Sequence, residues 1–158
     1  VPVTYWDGVE HVFIPRWLSE GANNSFLKKH NRVEFFDTVL EFCLKKRPER
    51  VCLYRTYALG DILMLLPLAR RLYHAAGLRQ PIEIVVEDRF IESLAMGLDD
   101  WREIHFLRMR ADANKADYGC DVHVDLNHVL EPDHWGGEES NYHRVELYAR
   151  VLGFEIIT

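Results

Sequence analysis

"YRTYALGDILMLLPLARRLY", residues 54–73, contains the turn on which the fold reading depends. The stretch "RVCLYRT" at 50–56 is rich in strand-forming residues and runs into Gly60-Asp61. From residue 61 to 76 the apolar residues recur at helical spacing, and Gly77 supplies the usual stop. Pro67 stands inside this helix. It removes one backbone hydrogen bond and predicts a kink after the first turn. A strand, a tight corner and a helix form the repeating unit of α/β folds.

The downstream chain repeats that unit. "IEIVVED" (82–88) reads as a second strand and "RFIESLAMG" (89–97) as a short helix. "EIHFL" (103–107) and "CDVHVDL" (120–126) read as two more strands, 127–140 as a loop, and "NYHRVELYARVLGF" (141–154) as a closing helix. This order predicts an α/β, Rossmann-like, three-layer domain over 49–158, with a mostly parallel sheet and helices on its faces.

Residues 1–48 read as an N-terminal extension, a β-hairpin and a helix. In "VTYWDGVEHVFI" (3–14), Asp7-Gly8 suits a tight hairpin turn whose central residues need positive φ. "GANN" (21–24) reads as a loop. Asn31 with Glu34 gives a capping-box spacing, so a helix is expected to start there and to stop at Pro48.

Composition sets the outer limits. The chain has 158 residues, 48% hydrophobic and 28% charged, which suits one globular domain with a real core. Its net charge is −6 and it has no long basic run, which argues against a nucleic-acid partner. "ILMLLPLA" is too short to span a bilayer, and no signal peptide is recognisable, so the expected location is cytoplasmic. The first residue is Val, so the numbering is expected to start inside a longer protein or after processing. Cys43, Cys52 and Cys120 are odd in number and far apart, and read as buried thiols in a reducing compartment.

In open α/β sheets, ligands bind beyond the carboxyl ends of the strands, where residues 57–61 are expected. Gly60 would permit a tight turn and close approach of another backbone. Asp61 has two readings: a helix N-cap, or a carboxylate that accepts a proton from a substrate hydroxyl. The corner lacks the glycines of a dinucleotide or Walker loop, and a carboxylate there would repel phosphate.

Arg55 is open between a structural ion pair and a cation for the substrate. In "DVHVDLNH", Asp125, Asn127 and His128 would reach the same edge, either as strand-end caps or as acceptor-binding groups. Tyr57 is the corner aromatic expected to face a ligand. Trp135, beside Gly136-Gly137, is either a packing residue or a platform for a sugar ring. His123, His128, His134 and His143 with Asp125 and Asp133 also allow a metal-dependent hydrolase as an alternative, although no H-E-x-x-H is present.

The pattern R-x-x-x-L-G-D-I-L-x-x-x-P-L, Arg55 to Leu68, resembles the first strand, loop and helix of the heptosyltransferase-like glycosyltransferases, glycosyltransferase family 9. "PIEIVVED", "DVHVDLNH" and "HRVELYARVLGF" resemble later landmarks of that family in order, so the resemblance spans residues 50 to 154. It implies the acceptor-side half of a GT-B fold, with Asp61 as general base and sugar transfer from a nucleotide-sugar donor to a glycan or other hydroxyl acceptor, with inversion. It implies no metal and no cofactor beyond the donor substrate. The donor would be held by a second domain or a partner chain, so this chain alone is expected to be inactive. Peripheral contact with a membrane is compatible with this class. A non-catalytic glycan-binding or assembly module is the other alternative.

Overall fold

The computed structural model describes residues 3–6, 8–13, 34–98, 100–112, 115–127, 129 and 143–155. The strands are β1 (Val3–Trp6), β2 (Val9–Phe13), β3 (Glu34–Phe36), β4 (Val51–Tyr54), β5 (Ile82–Val86), β6 (Ile104–Arg108) and β7 (Val122–Asp125). The helices are α1 (Val39–Lys46), α2 (Leu59–Ala76), α3 (Asp88–Gly97) and α4 (Arg144–Leu152). One seven-stranded sheet has the order β3-β2-β1-β7-β4-β5-β6. The segment from β7 to β6 is parallel throughout, while β1 pairs antiparallel with both β2 and β7. The protein is thus an α/β domain with a mostly parallel, Rossmann-like sheet.

The chain from β4 through α2, β5 and α3 to β6 moves steadily outward. It then returns past β4 and inserts β7 on the other side. The strand order therefore reverses between β4 and β7, and that reversal point is where open α/β sheets hold their ligands.

One face of the sheet carries Val51, Leu53, Ile82, Ile84, Val86, Ile104, Val122 and Val124. These pack in a single core with residues of all four helices, including Phe42, Leu65, Leu94 and Leu152. Each fully buried Leu or Ile contributes roughly 1.5–3 kcal/mol relative to exposure. The other face is mixed, with Val85 and Leu107 beside polar residues. Cys52, Glu83, His105 and His123 lie side by side in register across β7, β4, β5 and β6. Glu83 is buried there, and its carboxylate accepts hydrogen bonds from Arg50 Nη2 (2.8 Å) and His105 Nδ1. Among the described residues this face is covered by the 115–121 segment, with one 3₁₀ turn at Lys115–Tyr118, rather than by a helix.

Cys52 and Cys120 form a disulfide with Cα atoms 5.9 Å apart. This corrects the expectation of three free thiols. Their separation of 68 residues hides the proximity, which arises only because β7 inserts beside β4. Cys43 is free and buried, and burial pushes its thiol up to about 12.

The N-terminal hairpin forms as expected, with Gly8 at φ 77° in its turn; Asp7 lies outside the described residues. Its strands extend the same sheet, and α1 enters the same core. The start of α1 is a correction. Glu34 begins a strand paired with β2, and the helix starts five residues later. Thr38 is the N-cap, accepting from the Glu41 amide at 3.1 Å, and Glu41 reaches back to the Asp37 amide at 3.2 Å. The capping box is thus Thr38-x-x-Glu41. The β-prone run at 33–36 explains the displaced boundary. Arg47 closes α1 in a left-handed conformation and Pro48 follows, as a helix stop should. α2 runs without interruption through Pro67, whose ring lies on the exposed side. Among the described residues no helix is long and apolar enough to cross a membrane.

Candidate active site

The reversal point is built by the loop leaving β4 and the loop leaving β7. Leu126 N donates to Tyr54 O (2.9 Å), which carries the strand pairing to the very end of β4. Asn127 then fastens the two loops. Its side-chain oxygen accepts from the Thr56 amide (2.8 Å) and the Thr56 hydroxyl (3.2 Å). Its own amide donates to Asp125 Oδ1 at 2.9 Å, a local turn that Asp forms readily. Its carbonyl accepts from Arg55 Nη1 (2.7 Å) and Tyr57 Oη (3.2 Å).

The corner itself is turned by Ala58, not Gly60. Ala58 is the N-cap of α2 at φ 65°, a left-handed conformation costly for a residue with a Cβ. Such strain persists where the surroundings enforce it, often at functional sites. Gly60 is already helical, and a Cβ there would meet nothing within 4 Å. The helix therefore starts at Leu59, two residues before the expected position. This also removes Asp61 from the N-cap role. Asp61 lies in the first turn, where a negative charge suits the helix dipole, and its carboxylate turns to two arginines.

Arg55 holds the inner side. Its Nη2 donates to Asp61 Oδ2 at 2.8 Å, and its guanidinium lies 4.5 Å from the centre of the Tyr57 ring. Both side chains are buried, at 4% and 7% exposure. Burial by itself lowers the Arg55 pKa, but the hydrogen bond to Asp61 and the charges around it outweigh this, so the net shift is upward. Of the two readings of Arg55, the structure favours the ion pair: its terminal nitrogens are engaged and its head is enclosed. Arg144, the first residue of α4, holds the outer side, with Nη1 3.4 Å from Asp61 Oδ1. One turn later Tyr148 is fully buried, and its hydroxyl has no hydrogen-bond partner among the described residues. Burial first, then the Asp61 charge, raises the Tyr148 pKa against the pull of Arg55 and Arg144, so the phenol stays protonated.

Of the expected site residues, Arg55, Tyr57, Asp61 and Asn127 are brought together, with Gly60 exposed at the rim. Asp125 pairs in register with Tyr54 and shares the mixed face of the sheet, apart from the Arg55–Asp61 pair. His128 and Trp135 lie outside the described residues, as do His134 and Asp133. His123 hydrogen-bonds Tyr54 Oη through Nδ1 (2.8 Å), and His143 Nδ1 accepts from the Val145 amide (3.3 Å). Among the described residues no three His, Cys, Asp or Glu side chains converge in a way that could hold a metal ion.

Sequence reasoning missed Arg144 and Tyr148. Their spacing in "HRVELY" places both on one face of α4, but nothing in the sequence says which face meets Asp61. A cleft of about 730 Å³ opens elsewhere, between α1 and the end of α4, and is lined by Leu40, Leu44, Lys45, Arg150 and Phe154. Asp37, Glu41 and Glu155 also line it, and it contains none of the corner residues; the reversal point differs in holding a buried ion pair, Arg55 with Asp61.

No family model matches this chain, and no curated protein or solved structure is significantly similar to it.

Proposed function

We propose that this chain is the acceptor-side domain of a heptosyltransferase-like glycosyltransferase. The observation that carries the reading is the place of Asp61: a buried carboxylate on the first turn of α2, at the reversal point between β4 and β7. The motif from Arg55 to Leu68 adds to it. In this mechanism the Asp61 carboxylate takes the proton of an acceptor hydroxyl. That oxygen bonds to the anomeric carbon of a nucleotide sugar, the bond from this carbon to the diphosphate breaks, and the nucleoside diphosphate leaves with its electron pair. The configuration inverts. Arg55 fixes the carboxylate through Oδ2, and Oδ1, which Arg144 Nη1 meets at 3.4 Å, is the proton acceptor in this reading. The donor is held by groups outside this domain.

Asp61→Asn tests the assignment. The amide keeps an oxygen for Arg55 but is no base, and a positioned base is worth about 10²–10⁴ in rate. Sugar transfer by the full-length variant is expected to fall by that factor at a temperature where circular dichroism shows it folded. Undiminished transfer removes Asp61 from the role.

A further inference from the structure

Asp61 meets its two arginines on unequal terms. Arg55 is enclosed, donates to the Asn127 carbonyl at one end and to Asp61 at the other, and packs on Tyr57. It has nowhere to go. Among the described residues Arg144 makes one ion pair, the longer one, and its side chain is 68% exposed. It is the first residue of α4, and directly before it the His143 ring accepts from the Val145 amide at 3.3 Å. A long side chain rooted in a helix, with a solvated head, can swing without moving the helix. Arg144 covers Oδ1, the one carboxylate oxygen that Arg55 leaves uncommitted.

We propose that Arg144 is a latch on Asp61. Turned in, it covers Oδ1. Turned out, it opens that oxygen to an incoming hydroxyl and leaves a guanidinium at the mouth of the site. Arg144 is a positioning residue that acts through Asp61; its use in catalysis rests on the glycosyl-transfer reading. Among the described residues the charged and titratable groups around Asp61 are Arg55 and Tyr57 from the β4–α2 loop and Arg144 and Tyr148 from α4. Of these, only Arg144 combines exposure with a direct contact to the carboxylate.

The test is chemical access, which needs no substrate. A water-soluble carbodiimide with glycinamide converts reachable carboxyl groups to amides, and peptide mass spectrometry reads each site. Asp112, exposed and distant in the chain, serves as the internal reference. In the wild-type protein Asp61 is expected to label far more slowly than Asp112. An exposed ion pair is worth up to about 1 kcal/mol, so Arg144→Ala is expected to speed Asp61 labelling roughly fivefold. Arg144→Gln should do the same, and Arg144→Lys should restore most of the protection, all with unchanged thermal unfolding. Equal labelling of Asp61 in the wild type and in folded Arg144→Ala overturns the latch. So does an Asp61 that labels as fast as Asp112 in the wild type. If the latch holds while Asp61→Asn leaves sugar transfer intact, the functional reading fails and the latch stands.

Discussion

α2 has a carboxylate knot at each end, and the two are built differently. At its start Asp61, a residue of the helix, sits between Arg55 and Arg144. At its end the helix supplies the nitrogen partners instead: Arg70 Nε and His74 Nε2 meet Glu103 Oε1 at 3.2 and 3.1 Å. Both carboxylates are buried, Asp61 at 5% and Glu103 at 8% exposure. Their partners differ. Arg55 is 4% exposed, whereas Arg70 and His74 are 46% and 63% exposed. Glu103 lies at the amino ends of the strands, where its carbonyl accepts from the Ile82 amide and no reversal of strand order occurs. Arg70 also packs 4.8 Å over Trp101. The second knot is a fastener of α2 to the sheet. The first has an enclosed inner arginine and an exposed outer one, at the edge where open α/β sheets hold ligands. The same ion-pair chemistry therefore serves different ends according to which partner is enclosed.

The largest expected effect follows from that enclosure. Arg55→Ala leaves Asp61 buried with only the exposed Arg144 beside it, and breaking a buried pair in this way costs about 3–5 kcal/mol. Urea unfolding measures it. A loss similar to that at Glu103 would break the comparison. Glu103→Gln is expected to cost only about 1 kcal/mol, because both of its partners are exposed and water already screens them. Glu103 also predicts a pH dependence. A hydrogen bond from its own backbone amide lowers its pKa from the ordinary 4.5; burial opposes this, and His74 and Arg70 add to the lowering. A carboxyl lowered on folding stabilises the protein above its unfolded value, and the contribution fades as the pH falls through the lowered one. Part of the acid destabilisation below pH 4.5 should accordingly vanish in Glu103→Gln. The smallest effect is expected for His74→Ala, within about 0.5 kcal/mol, since its ring is largely solvated.

Where local spacing suffices, the sequence carried the structure. Helix α2 with its Gly77 stop, strand β5, the hairpin and the closing helix all follow from periodicity and turn residues. Boundaries slipped where two local preferences competed. Val33 to Phe36 suits a strand as well as a first helical turn, and pairing with β2 decided it. What depends on the return of the chain was hidden. The insertion of β7 beside β4 creates both the Cys52–Cys120 bridge and the Asn127 fastening of Arg55, and no residue near either end announces it. The Asp61 corner was legible as a candidate from its motif. Its geometry was not, because the turn is made by Ala58, whose side chain gives no sign of positive φ. Arg144 was hidden for the same reason as the disulfide: it meets Asp61 across 83 residues.

The two knots give the central claim its sharpest test. The full-length protein, as wild type, Asp61→Asn and Glu103→Gln, is incubated with a panel of nucleotide sugars and glycan acceptors, and released nucleoside diphosphate is measured at a temperature where all three are folded. The wild type is expected to turn over, Asp61→Asn to lose about 10²–10⁴ in rate, and Glu103→Gln to stay close to the wild type. Turnover in Asp61→Asn equal to that in Glu103→Gln would contradict that claim.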